Sequence, residues 1–345
     1  MRNKSGAIPF FVWPFFLLLA AVSILLLSVS EPELKVAAPL PPQLYSSSYQ
    51  LIGTGNKLGT YYPVGHILAD WFNSNLGNGE KIFKAVETNG SIDNIRLLNE
   101  KKITLAFAES RIVKEAYAES ATSSLRLVWP LWPDVVQLVK SPKSARKKLS
   151  ELSYGFLGQK NSSTFRTSCE IFKALGIDPA KVGIELAPDR VLSDLVADRI
   201  EFAMIQAGIP NRTVSDAVIF HNCTLTDFSG EDYKLLQDKV STSWKMVIPA
   251  GYYGERQPEI LTLGIPNVLV ANEDVSSATI ELITDLMSRS ARSLKIRHQA
   301  FADIPASPQE ARKFMDGIGV PIHQGTLNWL AREQMKAVAS DTSID

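Results

Sequence analysis

The sequence holds little of what metal, redox and nucleic-acid chemistry need. Two cysteines and four scattered histidines give no CxxC, no HExxH and no histidine pair at helical spacing, which argues against a structural zinc site. The 36 Lys and Arg balance 36 Asp and Glu, so there is no basic excess to displace counterions from a nucleic acid. No block of five like charges marks a polyelectrolyte tail. The phosphate loop GxxxxGK[ST] is absent, and Gly53, Gly55 and Gly59 form GxGxxxG, not the dinucleotide fingerprint GxGxxG. The acidic partner of that fingerprint is missing too, since Glu87 comes 34 residues after Gly53. No Ser/His/Asp order, activated cysteine or paired-carboxylate signature stands out. The expectation is a protein without metal or cofactor that is not an enzyme.

What is present is an ordinary globular composition, 45% hydrophobic and 21% charged over 345 residues, with room for roughly two domains with sizeable cores. The strongest apolar bias sits at the N-terminus. Ala7 to Ser30 is a 24-residue stretch without charge, preceded by Arg2 and Lys4 and followed by Glu31 and Glu33. About 20 apolar residues span a bilayer as a helix, and the positive flank stays cytoplasmic. Residues 1–30 therefore read as a membrane anchor, or as a signal segment cleaved after small residues such as Ser28 and Ser30. No Cys follows the run, which excludes a lipoprotein signal. Residues 31–48, with Pro32, Pro39, Pro41, Pro42 and Ser46 to Ser48, read as a semi-extended spacer.

From Tyr49 onward short apolar runs alternate with amphipathic stretches. Strands are expected at Tyr49–Gly53, Ile82–Glu87, Thr104–Ala108, Val135–Val139, Ser153–Leu157, Glu201–Ile205, Met246–Ile248 and Val268–Ala271. Val64, Ile67, Leu68, Trp71 and Phe72 repeat as one face of a helix, and further helices are expected at about Thr164–Leu175, Asp189–Asp198 and Ser276–Leu294. The alternation implies parallel α/β layers.

Three strand-to-helix junctions carry unusual chemistry: Gly53 to Pro63, Thr88 to Ser91, and Gln159 to Thr164. Each places Gly, Ser, Thr or Asn just before a helix, where free N–H groups and the positive end of the dipole favour an anion. Any one of them is more often a capped helix start than a ligand site. In open parallel sheets, however, ligands bind beyond the carboxyl ends of strands, so three such junctions are able to converge on one small anion.

These segments resemble the TAXI family, the solute-binding subunits of tripartite ATP-independent periplasmic (TRAP) transporters. The run GTGNKLGTYYPVGHILADWFN is similar to the family's opening signature. ETNGSIDNIRLLNEKKITLAFAES, WPLWPDVVQLV, FAMIQAGIPN, MVIPAGYYGE, LTLGIPNVLVANEDVSSATIELITDLM and GVPIHQGTLNWLARE continue the likeness, over about residues 49 to 335. The resemblance implies a type II periplasmic-binding-protein fold. Lobe 1 would take 49–134 plus 243–335, lobe 2 would take 135–242, and 336–345 would be a C-terminal tail. It implies a receptor on the periplasmic side of the bacterial inner membrane that closes on a small carboxylate, glutamate-like or a dicarboxylate, and delivers it to permease subunits. A membrane-anchored sensing or scaffold module of the same fold is the alternative.

Motif position plus chemistry then marks candidate ligand contacts. Gly55 and Gly59 would admit close backbone approach, and Thr60 and Tyr61 would offer hydroxyls. Asn89, Ser91 and Asn94 would supply amide and hydroxyl partners. Ser162, Ser163 and Thr164 would grip a carboxylate from lobe 2, and Gln206 and Ala207 would line the cleft. Three departures from the family pattern stand out. The lobe 2 loop lacks the family's Gly-Ser-Gly-Thr-Arg spacing, which turns Arg166 away from a clamping position. Lys57 is either a cation for the ligand or a solvated side chain. Glu109 stands where the family often has Gln. Trp129 and Trp132, with Pro130 and Pro133, read as hinge packing. Cys169 and Cys223, both in lobe 2, form a disulfide or remain two buried thiols.

Overall fold

The computed structural model describes residues 49–341 apart from 78, 121–122, 229, 241–242 and 306. The expected anchor or signal segment 1–30 and the spacer 31–48 lie outside the described residues. Among the described residues no helix is long and apolar enough to cross a membrane.

One mixed sheet organises the chain. Its strands are β1 (Gln50–Gly53), β2 (Phe83–Val86), β3 (Leu105–Glu109), β4 (Leu125–Lys140), β5 (Gly155–Phe156), β6 (Gly183–Ile184), β7 (Phe202–Ala207), β8 (Thr224–Leu225), β9 (Trp244–Ile248) and β10 (Ile260–Asn272). The order is β2-β1-β3-β10-β4-β7-β5-β6, with β8 beside β4 and β9 beside β10. β1 runs parallel to β2 and β3, and β5 runs parallel to β6 and β7. β4 and β10 are antiparallel to each other.

These two long strands make the halves. At about 3.3 Å per residue, the 16 residues of β4 reach through both. The start of β4 pairs with the end of β10, which borders β3. The end of β4 pairs with β7, and the start of β10 pairs with β9. The change-over falls where Asp134 faces Ile265 and Pro133 faces Pro266, beside a register shift in β10. A proline has no N–H for the ladder, and the run with Pro130 and Pro133 is read from sequence as hinge packing, not as strand. They sit inside the long strand instead, beside that irregularity. For the same reason Val135–Val139 and Val268–Ala271 were only the visible parts of β4 and β10.

In the second half both faces of the sheet are covered. Val136, Leu138, Phe172, Phe202 and Met204 pack on one face, under helices Ser163–Ala174 and Glu231–Lys239. Val135, Val139, Leu195, Ala203 and Val214 pack on the other, under helices Val191–Val196 and Arg212–His221. The alternation within β4 follows the two-residue repeat of a strand buried on both sides. Ile248, Ile260, Leu263 and Ile265 also belong to these cores. The chain therefore returns to the first half at Gly264–Pro266, later than the boundary at 243 expected from sequence. The expected tail is different too: helix Gln324–Asp341 takes in 336–341. It docks by Trp329 on Trp129, with ring centroids 5.4 Å apart.

Cys169 packs against the first of these cores and Cys223 is buried in the second, and both are free. A disulfide requires Cα atoms within about 7 Å, which opposite faces of a sheet do not offer. Protein denatured without reductant is expected to titrate two thiols; a count of zero contradicts this placement.

Candidate functional site

A cavity of about 170 Å³ opens between the two halves. A single water needs about 10–15 Å³ of such space, so there is room for on the order of ten non-hydrogen atoms. The first half contributes Gly55, Asn56, Leu58, Gly59, Thr60 and Tyr61 after β1, and Asn89, Gly90 and Ser91 after β2. The second half contributes Gly158, Gln159, Ser162, Ser163 and Thr164 after β5, Gln206 and Ala207 from β7, and Asn211 and Thr213 beyond it. Asp134 enters from the crossing strand.

Asp134 apart, each of these segments follows a strand and leads into a helix. The helices are Tyr61–Leu76, Ser91–Asn99, Ser163–Ala174 and Arg212–His221. The first-turn N–H groups of a helix lack partners within it, and the dipole makes that end positive. Ser162 caps its helix by accepting from Phe165 N at 3.1 Å, and Asn211 caps its own by accepting from Val214 N at 3.2 Å. Neither Thr60 nor Gly90 makes a side-chain cap. Gly158 has φ +106, and a Cβ there would lie 2.6 Å from Phe165 N. That position requires glycine and lets the loop fold tightly onto the start of helix Ser163–Ala174.

The three junctions read from sequence thus line one cavity, and a fourth, at Asn211, joins them. Its Pro-Asn start before an apolar-periodic stretch is a legible helix signal. Of the twelve expected contact residues, eleven line the cavity. Asn94 does not. It is fully buried, and its Nδ2 donates to Thr54 O at 2.7 Å and Phe107 O at 2.8 Å. It ties the loop after β1 to β3 behind the wall. The glycines also act differently from the expectation of open backbone: a Cβ on Gly55 would meet the Tyr61 side chain at 3.3 Å, and one on Gly59 would meet Asn56 O at 3.3 Å.

Several polar groups at the wall are already engaged. Tyr61 OH donates to Asn267 Oδ1 at 2.6 Å, and its ring stands edge-on to Phe107 and Trp132. Burial holds that phenol well above its ordinary range, so it stays a donor. Thr60 Oγ1 donates across the halves to Gly208 O at 3.1 Å. Ser91 Oγ accepts from Glu109 N at 3.0 Å, leaving its O–H as a donor. Trp132 is buried behind this cluster, edge-on to Tyr61 and Phe107.

No Lys or Arg is among the residues that line the cavity. Lys57 is turned out to Glu87, at 3.0 Å, both exposed. Arg166 pairs with Glu115 at 2.8 Å. Asp134 is the acid that reaches the wall. Burial first, then the negative charge of Glu109, push its carboxyl up to about 8, against the pull of Asn267, Trp132 and Gly208. Near neutral pH it is protonated, and the wall carries no charge.

Below the wall lies a buried ion network. Arg111, at 2% exposure, donates from Nε to Glu109 at 3.0 Å and from Nη1 to Glu170 at 2.6 Å. Its Nη2 donates to Thr167 Oγ1 and, at 3.5 Å, to Ser163 O. Glu109 also accepts from Gln206 Nε2. Arg111 and Glu109 belong to the first half, Glu170, Thr167 and Gln206 to the second.

Two α/β halves joined by long crossing strands, with a cleft at the carboxyl ends of parallel strands, define the periplasmic-binding-protein fold. Among solved structures the chain is similar to two solute-binding proteins, the first of which supports the fold. MatC from Rhodopseudomonas palustris, with bound malate, matches at a TM-score of 0.54 and 13% identity, over 83% of this chain and 99% of that one. The alkanesulfonate-binding protein SsuA from Xanthomonas axonopodis pv. citri, bound to MOPS, matches at 0.45 and 14% identity, over 83% and 85%. The NMT1-like family model matches residues 52–333, and the chain belongs to that family.

Two outcomes follow from the electrostatics. Arg111→Ala strands buried carboxylates and is expected to lower stability by about 3–5 kcal/mol, while Glu115→Ala, at an exposed pair, costs under about 1 kcal/mol; equal losses in denaturant melts contradict the assignment. The raised Asp134 carboxyl keeps its proton in the fold after the unfolded chain has lost it. Its contribution to stability is full below about pH 4 and is lost as pH rises through about 8. Affinity for an anion is expected to fall over the same upper range and to stay flat in Asp134→Asn. A wild-type dissociation constant that does not move between about pH 6 and 9 contradicts this.

Proposed function

We propose that this protein is an extracytoplasmic solute receptor of a TRAP transporter of the TAXI type. It captures a small carboxylate, a glutamate-like amino acid or a dicarboxylate, between its two lobes and delivers it to membrane permease subunits. The observation that carries the reading is the convergence of four helix N-termini, two from each half, on one small cavity lined by hydroxyls, amides and glycines. Such ends bind carboxylates without a cation. A ligand touching both halves favours the closed arrangement by its differential affinity, a population shift about the two crossing strands. The motifs shared with the TAXI family and the malate held by MatC, which has the same fold, support the ligand class. The apolar segment 7–30 is the sequence feature that supports a location on the periplasmic side of the bacterial inner membrane, as a tethered protein or as one released by signal cleavage.

Thermal unfolding of the purified protein against a panel of amino acids and organic acids tests this. A ligand at 100 times its dissociation constant adds about 2.7 kcal/mol. Stabilisation by at least one small acid is expected, and co-purified acid is expected in native mass spectrometry. Indifference to the whole panel, with no acid bound on purification, contradicts the reading.

A further inference from the structure

Apolar side chains complete the cavity wall: Leu58 from the first half, and Phe156, Pro188, Val191, Met204 and Ile205 from the second. Those of the second half are contiguous. Phe156 ends β5 and Val191 begins helix Val191–Val196, and both belong to the core on one face of the sheet, against which Ile205 packs. Pro188 opens the turn that leads into Val191. This core is open at the cleft. β7 pairs with β5 only as far as Ala203, so Met204 and Ile205 run on past the end of their neighbour. Ile205 and Pro188 are half-buried, and Leu58 is 46% exposed.

The polar groups are distributed the other way. The helix starts without a side-chain cap, at Thr60 and Gly90, belong to the first half, whereas Ser162 and Asn211 spend their side chains on capping their own helices. No Lys or Arg lines the cavity, and Asp134 supplies no positive charge. A second anionic group laid against Phe156, Val191 and Ile205 would lose its water without gaining a partner. An aliphatic group in the same place is driven there by the loss of its hydration.

We infer that the ligand is an amphipathic small acid, with one carboxylate held at the helix starts and a short branched aliphatic body packed on Phe156, Val191 and Ile205. The inference rests on the carboxylate-receptor reading and narrows it: plain diacids and acidic amino acids rank below acids of the same size that carry an aliphatic end.

The test is calorimetric titration of the full chain with pairs in which an isopropyl group replaces one carboxylate at the same number of non-hydrogen atoms: succinate against isocaproate, and aspartate against leucine. The isopropyl member of each pair is expected to bind about tenfold or more tightly, with the more negative heat-capacity change that marks apolar burial. Ile205→Thr sets a hydroxyl in the apolar wall, and Leu58→Ser removes an exposed part of it; each is expected to cut the preference several-fold. Val196→Thr makes a similar change at a side chain that packs on the same core without lining the cavity, and is expected to keep the wild-type preference. Where Ile205→Thr does not fold, as judged by its melting temperature, Leu58→Ser carries the test. Equal or tighter binding of the diacids by the wild type overturns the inference and leaves the receptor reading standing, as does a preference that either folded lining variant keeps or that Val196→Thr loses to the same extent. Failure of every acid of both kinds to bind overturns the receptor reading itself.

Discussion

The guanidinium of Arg111 is the group on which the cleft depends. It sits between Glu109 at the end of β3 and Glu170 in helix Ser163–Ala174, out of water. Burying such a charge costs several kcal/mol, which only well-made partners offset. Four contacts, to Glu109, Glu170, Thr167 and Ser163 O, use most of its five N–H groups. Those contacts fix the start of the helix whose first residues line the cavity, and they fix Glu109, which fixes the Gln206 amide. The network therefore ties the two halves together beneath the cavity.

Above it the design avoids cations. Lys57 and Arg166 are held by Glu87 and Glu115 away from the wall. The positive potential comes from helix ends, whose dipoles are fixed by the backbone and need no reorganisation when an anion arrives. Asp134 is compatible with this because burial and Glu109 keep it protonated near neutral pH. The small volume limits any ligand to a compact molecule, and the uncapped ends at Thr60 and Gly90 leave donors in the first half.

Much of this was legible in the sequence because it is local. Helix starts at Tyr61, Ser91 and Ser163 announce themselves by Gly, Ser, Thr and Asn, and all three junctions reach the cavity. The long strands were hidden by prolines at 130, 133 and 266, whose tolerance depends on sheet register and not on nearby residues. Asn94 was misplaced because an amide three residues past a junction reads the same on either side of the wall; the phase of helix Ser91–Asn99 turns it toward β3. The contact between Glu109 and Gln206 joins positions 97 apart, and no local pattern reports it. Asp134 carried one signal, an acid inside an apolar run.

The proposed function requires a cavity that holds a carboxylate with helix ends and no cation. A crystal structure of the protein with its co-purified or titrated acid tests that directly. Carboxylate oxygens are expected within hydrogen-bond distance of N–H or hydroxyl groups at the starts of helices from both halves, with no Lys or Arg side chain in contact. An acid bound outside the cleft, or held there by a Lys or Arg side chain, contradicts it.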